Sequence, residues 1–468
     1  MPTHRDRPNI LLIVSDQHRY DCVRANGHAL LRTPHLDRLA GEGINFTHAF
    51  CPAPVCVPSR ISLLCGQWPA RHGAIANFDT EAGRPMPPDA TTWSALLNAA
   101  GYWLGHVGRW HIHPKKPPTD FGFHEHAGLE GYEHWRREQG IPLMKFDDWS
   151  WFFGRADPHI SADQSRPAWS ADQVIRMMET AARGTAPFLL HWELGEPHLP
   201  NLVPEPFASM YRPEDIPPWP GFADPLVGKP FIQRQQRRTW GIDGWPWERW
   251  ARTVALYLGE VSLIDAQVGR VLGALDRLGL RETTLVIYTT DHGDLCGSHG
   301  MIDKHYVMYD DVVRVPLMAR WPGVAAPGRA CDAFVSHALD LAATLCDAAG
   351  LPVPGAFQGS SLVPILAGRE AGTGRDDIFA AYYGNQMGLY SQRMVRDRRW
   401  KYVWNATAED ELYDLVSDAG ELVNQAGSES GAEELKRLRA RLVSWMEITG
   451  DRLLNGWTRR QLVGGAKP

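Results

Sequence analysis

The chain is poor in cysteine. It has seven in 468 residues, Cys22, Cys51, Cys56, Cys65, Cys296, Cys331 and Cys346. The set is odd in number, irregularly spaced and without a Cys-x-x-Cys pair, which excludes a disulfide framework and a zinc knuckle. No apolar run approaches the roughly 18–20 residues that a bilayer-spanning helix needs. Positive charge is not in excess either. Against 54 Asp and Glu stand 48 Lys and Arg, a net charge of −6, so the chain is not built to coat nucleic acid. Repeats and low-complexity segments are missing, and 44% hydrophobic with 22% charged residues excludes disorder. Residues 1–8 are polar, and the apolar stretch after them is too short for a signal-peptide core; a cytoplasmic location is the expectation. What the chain has in abundance is Trp and His, 19 of each.

The apolar runs set the fold class. Asn9–Ser15 (NILLIVS) reads as a strand buried in a parallel sheet, and 104–107, 187–192, 285–290 and 315–321 read likewise. Between them, Thr33-Pro34 starts a helix with Leu36, Leu39 and Ala40 on one face. A second helix is expected over 93–100 and the clearest over 261–278, where Val261, Ile264, Val268, Val271, Leu272 and Leu275 recur at helical spacing. Such alternation predicts an α/β layered domain with a central, mostly parallel sheet, over 1–374. Residues 200–250, rich in Pro and Trp, read as a long excursion over its surface. From 375 to 468 a small α+β C-terminal subdomain is expected, with short strands in 393–404 and 411–415 and a helix over 432–448.

In open α/β sheets, ligands bind beyond the carboxyl ends of the strands. The residues found there are Asp16 and Gln17, Arg109 and His111, His198, and Asp291 with His292. Four strands that all end in groups able to bind metals or move protons point to one site. Mixed oxygen and imidazole ligation suits Ca²⁺ or Mn²⁺ better than structural zinc. Cys56, followed by Pro58, Ser59 and Arg60 at the start of an apolar helical segment, stands where an anion is favoured. On these grounds it is a thiolate nucleophile or a buried structural thiol.

Cys56-Val-Pro-Ser-Arg60 resembles the C-x-P-x-R signature of sulfatases. The resemblance extends to the strand ending in Asp16, to Thr33-Pro-His-Leu-Asp-Arg-Leu39, Gly108-Arg-Trp-His111 and Pro197-His-Leu-Pro200. It continues through Thr290-Asp-His-Gly-Asp294, Lys304, Arg314-Val-Pro-Leu317 and Leu412-Tyr-Asp-Leu415. It implies an alkaline phosphatase-like sandwich and a sulfuric ester hydrolase. Cys56 is then oxidised by a formylglycine-generating enzyme to formylglycine. One hydroxyl of the hydrated aldehyde attacks sulfur, with Asp291 accepting its proton. The family pattern gives His198 and Lys304 the departing alcohol, His111 the proton of the second hydroxyl, and Arg60 the orientation of the nucleophile. It implies one divalent metal, Ca²⁺ or Mn²⁺, on Asp16, Gln17, residue 56, Asp291 and His292.

Three positions depart from most sulfatases. Gln17 replaces an Asp, His292 replaces an Asn, and Arg109 replaces a Lys with a planar, potentially bidentate anion donor. Gln17 and His292, with Asn77 as a substrate-binding residue, resemble the phosphonate monoester hydrolase and choline-sulfatase branches. Arg109-x-His111 keeps the sulfatase-like basic pair. A small-molecule sulfate ester is therefore the first expectation, a phosphonate monoester or phosphodiester the alternative, and an anion-binding protein with an unmodified Cys56 the non-enzymatic one. His299 and His305 are further candidates for the pocket. Trp240, Trp245, Trp247 and Trp250 either wall that pocket or are buried against the core, or against a second subunit of a homo-oligomer.

Overall fold

Asn9–Ser15 forms strand β1, buried from Ile10 onward. A strand apolar on both faces must lie between two layers. In this computed structural model, which describes residues 7–144, 148–465 and 467, β1 lies inside an eight-stranded sheet. The others are Ile44–Phe46 (β2), Trp103–Gly108 (β3), Glu125–Gly128 (β4), Phe188–Glu193 (β5), Thr284–Thr290 (β6), Leu317–Arg320 (β7) and Arg329–Cys331 (β8). Their order is β8-β2-β7-β6-β1-β5-β3-β4. β7 pairs antiparallel with both neighbours and every other pair is parallel, so the sheet is mostly parallel as the runs imply.

Alternate residues of β1 feed two cores. Ile10, Leu12 and Val14 pack with Val57, Ile61 and Leu64 of the helix Cys56–Cys65 and with Leu341 and Leu345 of the helix His337–Ala348. Leu11 and Ile13 face Val174 and Met177 of Arg166–Ala182, and Ile264, Val268 and Leu272 of Trp247–Arg277. That last helix begins at Trp247, well before the 261 expected. Its first turns bury Trp250 in one aromatic cluster, and Val254, Tyr257 and Leu258 against Tyr211, Ile216 and Trp219 in another. Part of the supposed excursion is therefore helix, and Phe231–Thr239 supplies another.

Beyond residue 375, Ile378–Asn385 (β9), Gly388–Arg396 (β10), Trp400–Asn405 (β11) and Glu411–Asp414 (β12) form an antiparallel meander. The helix Ala432–Thr449 covers it through Leu438, Leu442 and Met446, which meet Val395, Tyr402 and Trp404. Among the described residues no helix is long and apolar enough to cross a membrane.

Candidate active site

β6, β1, β5 and β3 are adjacent and point the same way, so their carboxyl ends form one edge. Asp291, Asp16, His198 and Arg109 follow these ends, and the helix Cys56–Cys65 enters the same edge with all ten residues buried. Val55, extended, precedes Cys56 and offers no side-chain cap. Asn77 does so instead, its Oδ1 accepting the Val57 N–H at 3.1 Å. Cys56 Sγ lies 3.3 Å from His292 Nε2 and 3.8 Å from Asp16 Oδ1. One donor atom each from Asp16, Cys56, Asp291 and His292 lies within 4.8 Å of the others, and all four residues are buried. The Nδ1 of His292 is paired with the Gly293 carbonyl at 2.9 Å, which leaves Nε2 facing the cluster as a ligand nitrogen must. Two carboxylates, an imidazole and residue 56 fit a divalent cation.

Arg60 holds the carboxylates in place. Its guanidinium reaches Asp16 Oδ2 at 2.9 Å, Asp291 Oδ2 at 3.1 Å and the Glu193 carboxylate. Asp291 Oδ1 also accepts the backbone N–H of Gln17 at 3.0 Å. Gln17 reaches it in the left-handed region (φ 68°), a strained conformation of the sort found where geometry serves a site. The side chain of Gln17 faces elsewhere. Its Oε1 accepts from Lys304 Nζ at 2.6 Å, while its Nε2 donates to Asp303 at 3.0 Å and to Asp294.

The cations form the opposite wall. Arg109 pairs with Asp16, and Lys304 Nζ sits 2.9 Å from His198 Nε2. The ring of His111 packs edge-on to Phe78, and its Nδ1 is buried without a hydrogen-bond partner among the described residues. Burial pushes the Cys56 thiol up, but Lys304, Arg109 and His292, with a hydrogen bond from His111, hold it well below its ordinary value. Burial likewise raises Asp16, and Arg109 and Arg60 bring it below the usual carboxylate range. For Asp291, burial and the neighbouring Asp16 prevail and it is raised. Burial works against protonation of His292, yet Asp291 and Cys56 push it up to about 9. These are paired shifts of opposite sign in one buried cluster, the electrostatic pattern of a functional site.

A family model described as Sulfatase matches residues 8–351, most of the chain. This chain belongs to the sulfatase family. A second model, N-sulphoglucosamine sulphohydrolase, C-terminal, matches residues 297–447. An arylsulfatase from Clostridium perfringens is 29% identical, over 96% of this chain and 98% of that protein. A multifunctional alkaline phosphatase superfamily protein from Trinickia caryophylli is 28% identical over 96% and 97%. The crystal structure of the phosphonate monoester hydrolase of Agrobacterium radiobacter superposes with a TM-score of 0.82 at 28% identity, covering 95% of this chain and 96% of that one. The fold is thus the alkaline phosphatase-like sandwich, and the chain is a hydrolase of this superfamily with a buried cluster suited to a divalent metal.

In this sulfatase-family chain a cavity of about 1090 Å³ opens over the cluster. Arg109, His111, His198 and Lys304 line its floor, and Asn77 its side. Trp149, Phe152 and Trp240 build an aromatic wall, with Phe152 edge-on to Trp240 at 5.5 Å. Of the four tryptophans in 240–250 only Trp240 lines the cavity; Trp250 is fully buried, and Trp245 and Trp247 pack around the same small core. His305 lines the cavity beside Asp303. His299 does not, being stacked on Tyr309 at 3.6 Å and paired with Asp224. Sequence reasoning passed over Glu193, Asp294 and Asp303. The sign of Glu193 was a carboxylate inside a buried apolar run, and the two aspartates sat within blocks already read for Asp291 and Lys304.

Proposed function

We propose that this chain hydrolyses small-molecule sulfate monoesters, using formylglycine made from Cys56 by a formylglycine-generating enzyme. The observation that carries the reading is the buried junction of Cys56 with Asp16, Asp291 and His292, faced by Arg109, His111, His198 and Lys304. Asp16, Asp291, His292 and residue 56 would hold the metal; Gln17, read as a fifth ligand, turns its amide oxygen to Lys304 and would have to exchange that partner. An imidazole in place of an amide favours Mn²⁺ over Ca²⁺. Bound there, the cation acts as a Lewis acid that offsets the sulfate charge.

This chain's own groups carry the protons. Asp291 accepts the proton of the attacking hydroxyl as its oxygen bonds to sulfur. The ester S–O bond breaks, and His198 and Lys304, held together at 2.9 Å, stabilise and protonate the leaving oxygen. His111 then takes the proton of the second hydroxyl, the bond from carbon to the sulfate oxygen breaks, and the aldehyde regenerates for rehydration by water. Arg109 receives the anionic end of the substrate.

Mass spectrometry of the peptide spanning 52–60 tests the reading, with formylglycine expected at position 56. A thiol there in material from the native host would overturn it. Activity lost to chelation and regained with Mn²⁺ is the accompanying expectation. A second reading, hydrolysis of phosphonate monoesters by the same groups, is favoured by Gln17, His292 and Asn77 and by the likeness to phosphonate monoester hydrolases. Turnover of 4-nitrophenyl sulfate against 4-nitrophenyl phenylphosphonate at equal concentration separates the two.

A further inference from the structure

Three histidines stand in register on neighbouring strands, His126 on β4 with His106 on β3, and His106 with His191 on β5. Paired residues of parallel strands share a face, and Glu193, two positions beyond His191, shares it too. His106, His191 and Glu193 are each no more than 1% exposed. The rings of Trp93, Trp110 and Phe123 close around the two imidazoles.

The three side chains converge without satisfying one another. His191 Nε2 is 3.1 Å from Glu193 Oε1 and His106 Nε2 is 3.9 Å from Glu193 Oε2. Yet His106 Nε2, both ring nitrogens of His191 and Glu193 Oε1 lack a hydrogen-bond partner among the described residues. Each such buried orphan is destabilising unless a partner fills the space between. One donor atom from each residue lies within 4.8 Å of the others. His106 is prepared as a ligand. Its Nδ1 is paired with His126 Nδ1 at 3.0 Å, the outer contact that fixes a metal-binding ring. Arg60 does not neutralise Glu193 alone, because it is shared with Asp16 and Asp291.

We propose that His106, His191 and Glu193 hold a second divalent ion, distinct from the cluster around Cys56. Two imidazoles and one carboxylate are a borderline donor set that suits zinc better than calcium. The ion would fix Glu193, and through it Arg60, making these three side chains positioning residues for the active site.

Metal analysis of the full chain, loaded with zinc and then freed of loosely held metal, tests this. The Asp291→Asn variant, impaired at the first cluster, is expected to retain zinc. X-ray absorption at the zinc edge should show imidazole nitrogen around it. Adding His106→Asn or His191→Asn to that background should remove the zinc. An Asp291→Asn chain that holds no zinc, or zinc with no imidazole ligands, overturns the proposal even if the added substitutions prevent folding. So does zinc that survives the loss of either histidine. Neither readout depends on turnover or on oxidation of Cys56, so failure here leaves the proposed function standing.

Discussion

One guanidinium, that of Arg60, serves three carboxylates from three strand ends. An ammonium cannot span Asp16, Glu193 and Asp291 at once. Arg60→Lys is therefore expected to weaken Mn²⁺ binding by about 10–100-fold, the usual effect of losing an outer-layer partner. Calorimetric titration of the metal-free protein reads it, and unchanged affinity would contradict the role given to Arg60. Cys56→Ala removes the side chain from which the proposed formylglycine would be made. Turnover should vanish while the far-ultraviolet circular dichroism stays that of the parent; residual turnover at a substantial fraction of the parent rate would remove residue 56 from the chemistry.

At the scale of elements, strand ends are where legibility was best. A continuous apolar run that stops at Asp16 or Asp291 announces both a buried strand and the polar residue set at its carboxyl end. The sequence was less readable where packing uses other currencies than aliphatic periodicity. Arg166–Ala182 buries Ala168, Trp169, Ala171 and Met177, a face without a leucine stripe. The first turns of Trp247–Arg277 hide among arginines and tryptophans. The aim of the Gln17 amide and the Arg60–Glu193 contact are tertiary facts that no local pattern carries. Gly108, the last residue of β3, sets the approach of Arg109. It has φ +105°, and a Cβ on it would lie 1.8 Å from the Glu193 carbonyl oxygen, the atom that accepts the Arg109 N–H at 2.8 Å. Gly108→Ala should cost about 1–3 kcal/mol of stability, read by urea denaturation, with reduced turnover because Arg109 is displaced. Equal midpoints would argue against it. On the aromatic wall, Trp240→Ala should raise KM several-fold for an aryl sulfate, a ring contact being worth about 0.5–1.5 kcal/mol, and leave an alkyl sulfate unaffected. Equal changes for both would show that the wall does not read the leaving group.

For the whole molecule, buried ionisable groups of two kinds oppose each other. Burial pushes His18, His48 and His337 down to about 4 and His72 and His106 to about 3. Each withdraws stability as the pH falls from 6.5 toward those values, because the unfolded chain binds the proton first. Burial pushes Glu260 up to about 8, Asp265 and Glu421 to about 7 and Asp294 to about 6. Each adds stability as the pH falls through those values, until the unfolded carboxyls are also protonated near 4. The melting temperature should therefore change little from pH 6.5 to 4.5 and drop steeply below, where the acids stop compensating and ion-paired carboxylates such as Glu42, held near 2, begin to protonate. A steady decline starting at pH 6.5 would refute the balance. The depth of Cys56 has another consequence, one of timing. It has no exposed surface, and His292, which closes over it, leaves the ribosome 236 residues later. At about 5–20 residues per second, the thiol is open to another enzyme for on the order of ten seconds or more before the sheet can seal it. If Cys56 is the source of formylglycine as proposed, synthesis would be a race between oxidation and closure, and the rate of translation would set what share of the chains emerges able to turn over at all.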